Sequence, residues 1–202
     1  MGFAEAYIRL SEVSDRRGGA EHRARMLAGL SGRVIEVGAG NGRNFAHYPV
    51  SVAEVLAVEP DPLLRRHAEH AARQARVPVH VVGGEADHLP GADGEFDAAV
   101  YSLVLCSVPD PATALAEARR VLRPGGELRF YEHIRSGNPV FGALEDLVTP
   151  LWTRVAGGCH PNRDTGNALR RAGFTVDADR FGFRPQALHP PVAHIIGTAR
   201  ST

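Results

Sequence analysis

Lysine is absent from this 202-residue chain: its 23 basic residues are all arginine. Without an ε-amine no Schiff base can form with a carbonyl substrate or cofactor, so aldolase-type and pyridoxal mechanisms are excluded. Cysteine is scarce, with only Cys106 and Cys159. Two cysteines without a C-x-x-C partner make no disulfide framework and read as free thiols of a reducing compartment, the cytoplasm. Net charge is missing as well, because 23 acidic residues balance the arginines, and no strong field draws in nucleic acid or an anionic membrane. Nor is there a long apolar run at the amino terminus, where Glu5, Arg9 and Glu12 interrupt Met1 to Ser14. That pattern predicts neither a signal peptide nor a membrane anchor. Ala6 stands where an N-myristoylation signal needs Ser or Thr, so lipidation is not expected either. The expectation is a soluble chain with no integral membrane segment.

What is present is ordinary for a folded domain: 44% hydrophobic and 23% charged residues. The length suits one domain over 1–202, with amino-terminal helices in 1–32, a ligand-binding core in 33–131, and acceptor-side helices with closing strands in 132–202. Short apolar runs alternate with amphipathic stretches. Strands are expected at Val34–Val37, Val55–Val58, Val79–Val82, Ala98–Tyr101 and Leu128–Tyr131, all rich in β-branched or aromatic residues. Asp61-Pro62 and Asp110-Pro111 each place an acceptor at a helix N-cap and a proline in the first turn. Arg123-Pro124-Gly125-Gly126 reads as a helix stop and turn. Further helices are expected at Phe3 to Val13, Glu21 to Leu30, Leu144 to Val155 and Asp164 to Ala172, with closing strands near Thr175 to Phe181 and Val192 to Ala199. The sum is an α/β fold of Rossmann-like, doubly wound type: a seven-stranded, mostly parallel sheet with helices on both faces and an antiparallel last strand.

Glu36-Val37-Gly38-Ala39-Gly40-Asn41-Gly42 closes the first strand and is expected to open a helix, its glycines letting backbone N–H groups approach a ligand. Seventeen residues beyond Gly42, Glu59 ends the second strand, where a carboxylate can accept bonds from both hydroxyls of a ribose. A dinucleotide-binding dehydrogenase is the first alternative. Its G-x-G-x-x-G pattern needs a third glycine where Arg43 stands, and the chain has no room for a second nucleotide-binding half and a catalytic domain.

Glu36 to Gly42, Glu59, Glu85 to Pro90, Phe96-Asp97 and Leu122 to Gly126 together resemble a class I S-adenosylmethionine-dependent methyltransferase. The resemblance implies S-adenosyl-L-methionine as cofactor. It implies that Gly38, Gly40 and nearby backbone contact the methionine portion, that Glu59 holds the ribose, that Glu85 and Ala86 edge the adenine and that Ser102 and Leu103 lie beneath the sulfonium, with Glu36, Asn41 and Pro60 as further cofactor-binding residues. Ser102 to Val108, Glu132-His133, Trp152, Gly158-Cys159 and His194 to Gly197 extend the likeness to alkyl thiol S-methyltransferases, which implies a thiol acceptor. N- or O-methylation of a small metabolite or lipid head group is the alternative, and a cofactor-binding sensor or partner subunit without turnover is a third reading. None of these implies a nucleic-acid partner, and oligomeric state is not readable.

His133, at the carboxyl end of the fifth strand, is the candidate catalytic residue for acceptor positioning or proton removal. Phe141, Leu151, Trp152 and His160 are candidate substrate-binding residues, since an apolar, aromatic wall suits a small hydrophobic acceptor. Their alternative roles are core packing and, for His160, a turn. Cys106, His133, Cys159 and His160 are metal-ligating types, but none shows the short paired spacing of metal sites, so no metal is expected.

Overall fold

The computed structural model describes residues 2–187 and 191–201. Three capped starts set its rhythm. Asp61 Oδ1 accepts the Leu63 and Leu64 N–H groups at 2.8 and 2.9 Å and opens α3 (Pro62–Ala72), and Asp110 Oδ1 accepts the Ala112 N–H at 2.9 Å and opens α4 (Pro111–Val121). Asn138-Pro139 repeats the device: Asn138 Oδ1 accepts the Val140 N–H at 3.0 Å and opens α5 (Pro139–Val155), earlier than the expected start at Leu144. The remaining helices are α1 (Phe3–Ser14), α2 (Ala20–Leu27) and α6 (Thr165–Arg171). The turn Asp15–Gly19 joins the first two through Gly18, at φ 115°.

Seven strands form one sheet: β1 (Gly32–Val37), β2 (Val52–Val58), β3 (Val79–Val82), β4 (Phe96–Ser102), β5 (Leu122–His133), β6 (Phe174–Phe183) and β7 (Val192–Ser201). Their order is β3-β2-β1-β4-β5-β7-β6. The first five are mutually parallel, and β7 runs antiparallel to both β5 and β6. Two core clusters follow the two-residue period of the strands. Ile35, Val37, Ala99 and Tyr101 face one layer with Leu115 and Leu169; Val34, Ala98 and Val100 face the other with Leu27 and Phe45. Burial on both faces is why β1 and β4 each carry consecutive apolar residues, Val34-Ile35 and Ala98 to Tyr101.

Two local expectations are corrected. No α-helix opens after β1: residues 38–44 form turns and only a 3₁₀ turn follows, Phe45–His47. Gly38, Gly40 and Gly42 all adopt positive φ (66°, 58° and 78°), which an α-helix cannot contain. Arg123 to Gly126, read as a stop between helix and strand, instead lies within β5 as an irregularity. Leu122 already pairs with Phe96, and pairing resumes at Glu127 with Ala98.

The chain winds outward from β1 through β2 to β3 on one side and from β4 to β5 on the other. Their carboxyl ends therefore diverge between β1 and β4, the edge where open α/β sheets bind ligands.

Candidate functional site

At that edge the turn after β1 is tied to the end of β2. The Gly38 and Ala39 N–H groups donate to the Val58 carbonyl at 2.8 and 3.0 Å, and the Gly40 N–H donates to Glu59 Oε2 at 2.7 Å. Glu59 Oε1 accepts the Asp61 N–H at 2.9 Å. Burial raises the pKa of Glu59 against the pull of these two N–H groups. Each carboxylate oxygen thus receives one backbone donor and retains acceptor capacity, which fits a vicinal diol. The backbone here is bare because other segments close over it. A Cβ on Gly40 would lie 2.9 Å from Tyr7 Oη of α1, and one on Gly38 would lie 2.6 Å from Val104 Cγ2.

Glu36 serves the frame of this turn. Its two oxygens accept Asn44 Nδ2 at 2.8 Å and Tyr48 Oη at 2.7 Å, and burial lifts its pKa to about 7 despite both bonds. Buried Arg23 donates to Asn44 Oδ1 at 2.9 Å and to Ser102 Oγ at 3.2 Å, while its Nε pairs with Asp15 at 3.0 Å. Asp15 also pairs with Arg43 at 2.7 Å. Asn41 Nδ2 donates to Ser11 Oγ at 3.2 Å, linking the turn to α1.

Opposite, Leu103 is the described non-glycine residue with positive φ, at 62°. Such a conformation costs about 1–3 kcal/mol and needs external support. Buried Glu132 supplies it: its carboxylate accepts the Val104 and Leu105 N–H groups at 2.9 Å each and the Cys106 N–H at 3.0 Å. The Leu103 N–H itself donates to the Tyr131 carbonyl at 2.7 Å. Pro60 and Glu85 are exposed and Ala86 half-buried, just past the ends of β2 and β3.

On the far side of Leu103, half-buried His133 turns Nδ1 toward two sulfurs, Cys159 Sγ at 3.3 Å and Cys106 Sγ at 3.7 Å, and the sulfurs lie 3.8 Å apart. The bond shared by the sulfurs, with His133 beside it, pulls the Cys159 thiol well below its ordinary pKa, while that bond and burial push Cys106 up. Burial works against a charged His133, but the bond to Cys159 and the nearby Glu132 outweigh it and raise the ring's pKa. Three of the four metal-ligating residues noted in the sequence thus converge. His160 stays out: its Nδ1 lies 2.7 Å from the Gly158 carbonyl.

The substrate-side candidates are less enclosed. Phe141, Leu151 and Trp152 are exposed on α5, together with Val140, Leu144 and Leu147. Phe3 of α1 covers Gly157, so α1 touches both the glycine turn through Tyr7 and the loop after α5.

Residues 35–130 match the family described as a methyltransferase domain. The chain is 36% identical over 181 residues to human (Homo sapiens) thiol S-methyltransferase TMT1B, covering 86% of this chain and 73% of that protein. It is 37% identical over 157 residues to human thiol S-methyltransferase TMT1A, covering 74% and 63%. A solved S-adenosylmethionine-dependent methyltransferase of Thermotoga maritima, described as a possible histamine N-methyltransferase, superposes with a TM-score of 0.75 at 23% identity, over 99% of this chain and 97% of that one. The chain belongs to the S-adenosylmethionine-dependent methyltransferases. This methyltransferase has S-adenosylmethionine as its methyl donor, and the reading as a sensor without turnover falls away. Among its described residues no helix is long and apolar enough to cross a membrane.

No local signal in the sequence marks Arg23, Asn44 and Tyr48 as the frame of the glycine turn. A lone arginine in an amphipathic helix carries no mark of its burial. Glu132 had a signal, since it stands beside His133 at the end of a strand, but nothing in its neighbours shows that it accepts three N–H groups.

Proposed function

We propose that this methyltransferase acts as a single domain on a small thiol, forming a thioether, in the cytoplasm. The observation that carries this reading is the likeness to thiol S-methyltransferases, which runs over 181 residues and so well beyond the donor-binding stretch 35–130 into the acceptor half. The chemistry agrees. A free thiol of pKa about 8.5 is already a few per cent thiolate at neutral pH, so it needs only a modest shift, whereas a hydroxyl needs a strong base. Glu132, the buried carboxylate beside His133, accepts three N–H groups and is not available as such a base.

In this reading Gly38, Gly40 and Asn41 line the methionine portion of the donor, with Glu36 holding their turn in shape. Glu59 and Pro60 take the ribose, Glu85 and Ala86 edge the adenine, and Ser102 and Leu103 lie under the sulfonium. His133 is the acceptor-side residue that favours the thiolate. Phe141, Leu151 and Trp152 of α5, with His160, form the apolar approach for the acceptor's carbon chain. The donor methyl is already electrophilic, so catalysis consists of alignment, exclusion of water and removal of one proton.

The test is product formation from isotopically labelled donor with a panel of thiols, amines and phenols. Methylated thiols are expected, with turnover on amines and phenols at least tenfold lower; transfer confined to nitrogen or oxygen would overturn the reading. In the same assay Glu59→Ala is expected to weaken donor binding at least tenfold by calorimetry, and unchanged affinity would remove the ribose assignment.

A further inference from the structure

We propose that Cys106, His133 and Cys159 hold one zinc ion with three protein donors, leaving a fourth coordination position for the acceptor's sulfur. The last clause rests on the thiol reading above; the metal site does not.

Geometry carries the proposal. A tetrahedral zinc with Zn–S bonds of about 2.3 Å and a Zn–N bond of about 2.05 Å separates two sulfurs by about 3.8 Å and each sulfur from the nitrogen by about 3.5 Å. The corresponding separations are 3.8 Å between Cys106 and Cys159, and 3.7 and 3.3 Å from those sulfurs to His133 Nδ1. The three atoms therefore already form one face of the required tetrahedron. A disulfide would need the sulfurs at about 2.05 Å, and both cysteines are free.

The ligands are also held from outside, as metal ligands need to be. Glu132 fixes the Cys106 backbone N–H, and the His160 N–H donates to the Cys106 carbonyl at 2.7 Å. Arg163 Nη1 bonds the Leu105 and Val108 carbonyls at 2.7 Å each, binding the loop that carries Cys159 to the one that carries Cys106. The His133 ring packs on His194 with centroids 4.6 Å apart, and His194 Nδ1 is itself fixed 2.8 Å from the Val192 carbonyl.

Two thiolates and a neutral imidazole neutralise a divalent zinc ion, so the loaded cluster adds no net charge to its buried surroundings. Soft sulfur donors with imidazole favour zinc over magnesium or calcium. Three protein ligands with one open position is the stoichiometry of catalytic rather than structural zinc sites. A thiol entering that position gives its proton to solvent and binds as thiolate. Its sulfur then forms a bond to the donor's methyl carbon while the carbon–sulfonium bond breaks, the electron pair leaving on the donor sulfur. The product is a neutral thioether, a weaker zinc ligand than the thiolate it replaces.

Purified, reduced protein provides the test, by elemental analysis and by cobalt(II) substitution. About one zinc per chain is expected. Cobalt should give sulfur-to-metal absorption and the visible bands of a tetrahedral site, and those bands should shift when a simple alkyl thiol is added without donor. Cys106→Ser, Cys159→Ser and His133→Gln should each weaken cobalt binding by a hundredfold or more while donor affinity, checked by calorimetry, stays within about threefold; retained donor binding shows that a variant has folded. Zinc and cobalt both failing to bind wild-type protein would overturn the site. Cobalt bound with bands indifferent to thiols would overturn the open position. A thiol-responsive cobalt site in a protein that methylates only amines or phenols would support the metal site and count against the thiol reading alone.

Discussion

The two halves of the reaction edge are built on different principles. On the side that the proposed function gives to the donor, three segments are locked by a buried carboxylate: Glu59 joins Gly40 to Asp61, Glu36 joins Asn44 to Tyr48, and Glu132 gathers three consecutive N–H groups of the loop after β4. On the acceptor side α5 buries only Gly142 and Thr149 among its described residues and leaves a row of large apolar side chains exposed. The middle of that helix is tied at the surface by Asp146, which pairs with Arg135 at 2.8 Å. The donor is one fixed molecule, so its site can be built rigidly in advance. On the proposal that an apolar acceptor lies along α5, that acceptor offers few polar handles, and a greasy helix face would meet it by area rather than by hydrogen-bond direction.

If that contrast holds, the largest effects lie on the donor side. Glu132→Ala leaves three buried N–H groups without an acceptor and releases the strained Leu103. Each unmade buried bond costs about 1–3 kcal/mol, partly offset because burying the Glu132 carboxylate is itself unfavourable, so a loss of about 3 kcal/mol or more is expected in denaturant unfolding. A variant as stable as wild type would show that water replaces the carboxylate and that the loop is not locked.

The next effect is a pH dependence at Glu36. Burial raises this carboxyl to about 7, with Tyr48, Asn44 and Arg23 pulling against it and Glu59 adding to it. The folded chain therefore keeps a proton that the unfolded chain releases near pH 4.5. Because the native state binds more protons in this window, stability from Glu36 is full below about pH 4.5, falls as pH rises, and is lost above about 7. The whole shift corresponds to at most about 3 kcal/mol. Glu36→Gln removes the proton exchange, so relative to wild type it should gain about 1–3 kcal/mol on going from pH 5 to pH 8, read from paired denaturant titrations. Parallel pH curves would mean that Glu36 is ionised in the folded protein.

The same contrast explains what the sequence reveals. The parallel strands and the Asp61 and Asp110 caps follow from local pattern, because each cap lies within a few residues of its partner and each strand is a short run rich in β-branched or aromatic residues, whereas the order of the strands joins segments far apart in the chain. The glycine turn is visible as glycines, yet it does not become a helix, since three positive-φ residues in five override the strand-to-helix habit of the fold. The start of α5 is hidden because its apolar residues sit on an exposed face, where periodicity has no core to report, and only Asn138-Pro139 marks it. The Cys106, His133 and Cys159 cluster is invisible to spacing rules. Its members come from the loop after β4, the end of β5 and the loop after α5, and only the sheet order brings them together.

The smallest stability effect is expected on α5, where Leu147 is 78% and Leu151 67% exposed. Substituting a residue that buries little changes folding by about 0.5 kcal/mol or less, so Leu147→Ser and Leu151→Ser should unfold at nearly the wild-type denaturant midpoint. Their effect should fall on the acceptor instead. If an alkyl chain lies along this face, losing one leucine contact removes about 1–1.5 kcal/mol of apolar burial from the bound acceptor, and KM for a long-chain thiol should rise about tenfold with kcat kept. A short polar thiol makes no such contact, and its KM should not move. Equal KM changes for both thiols would place the alkyl chain elsewhere. A stability loss above about 1 kcal/mol would show instead that α5 packs on the protein core, and the two sides of the site would then be built alike.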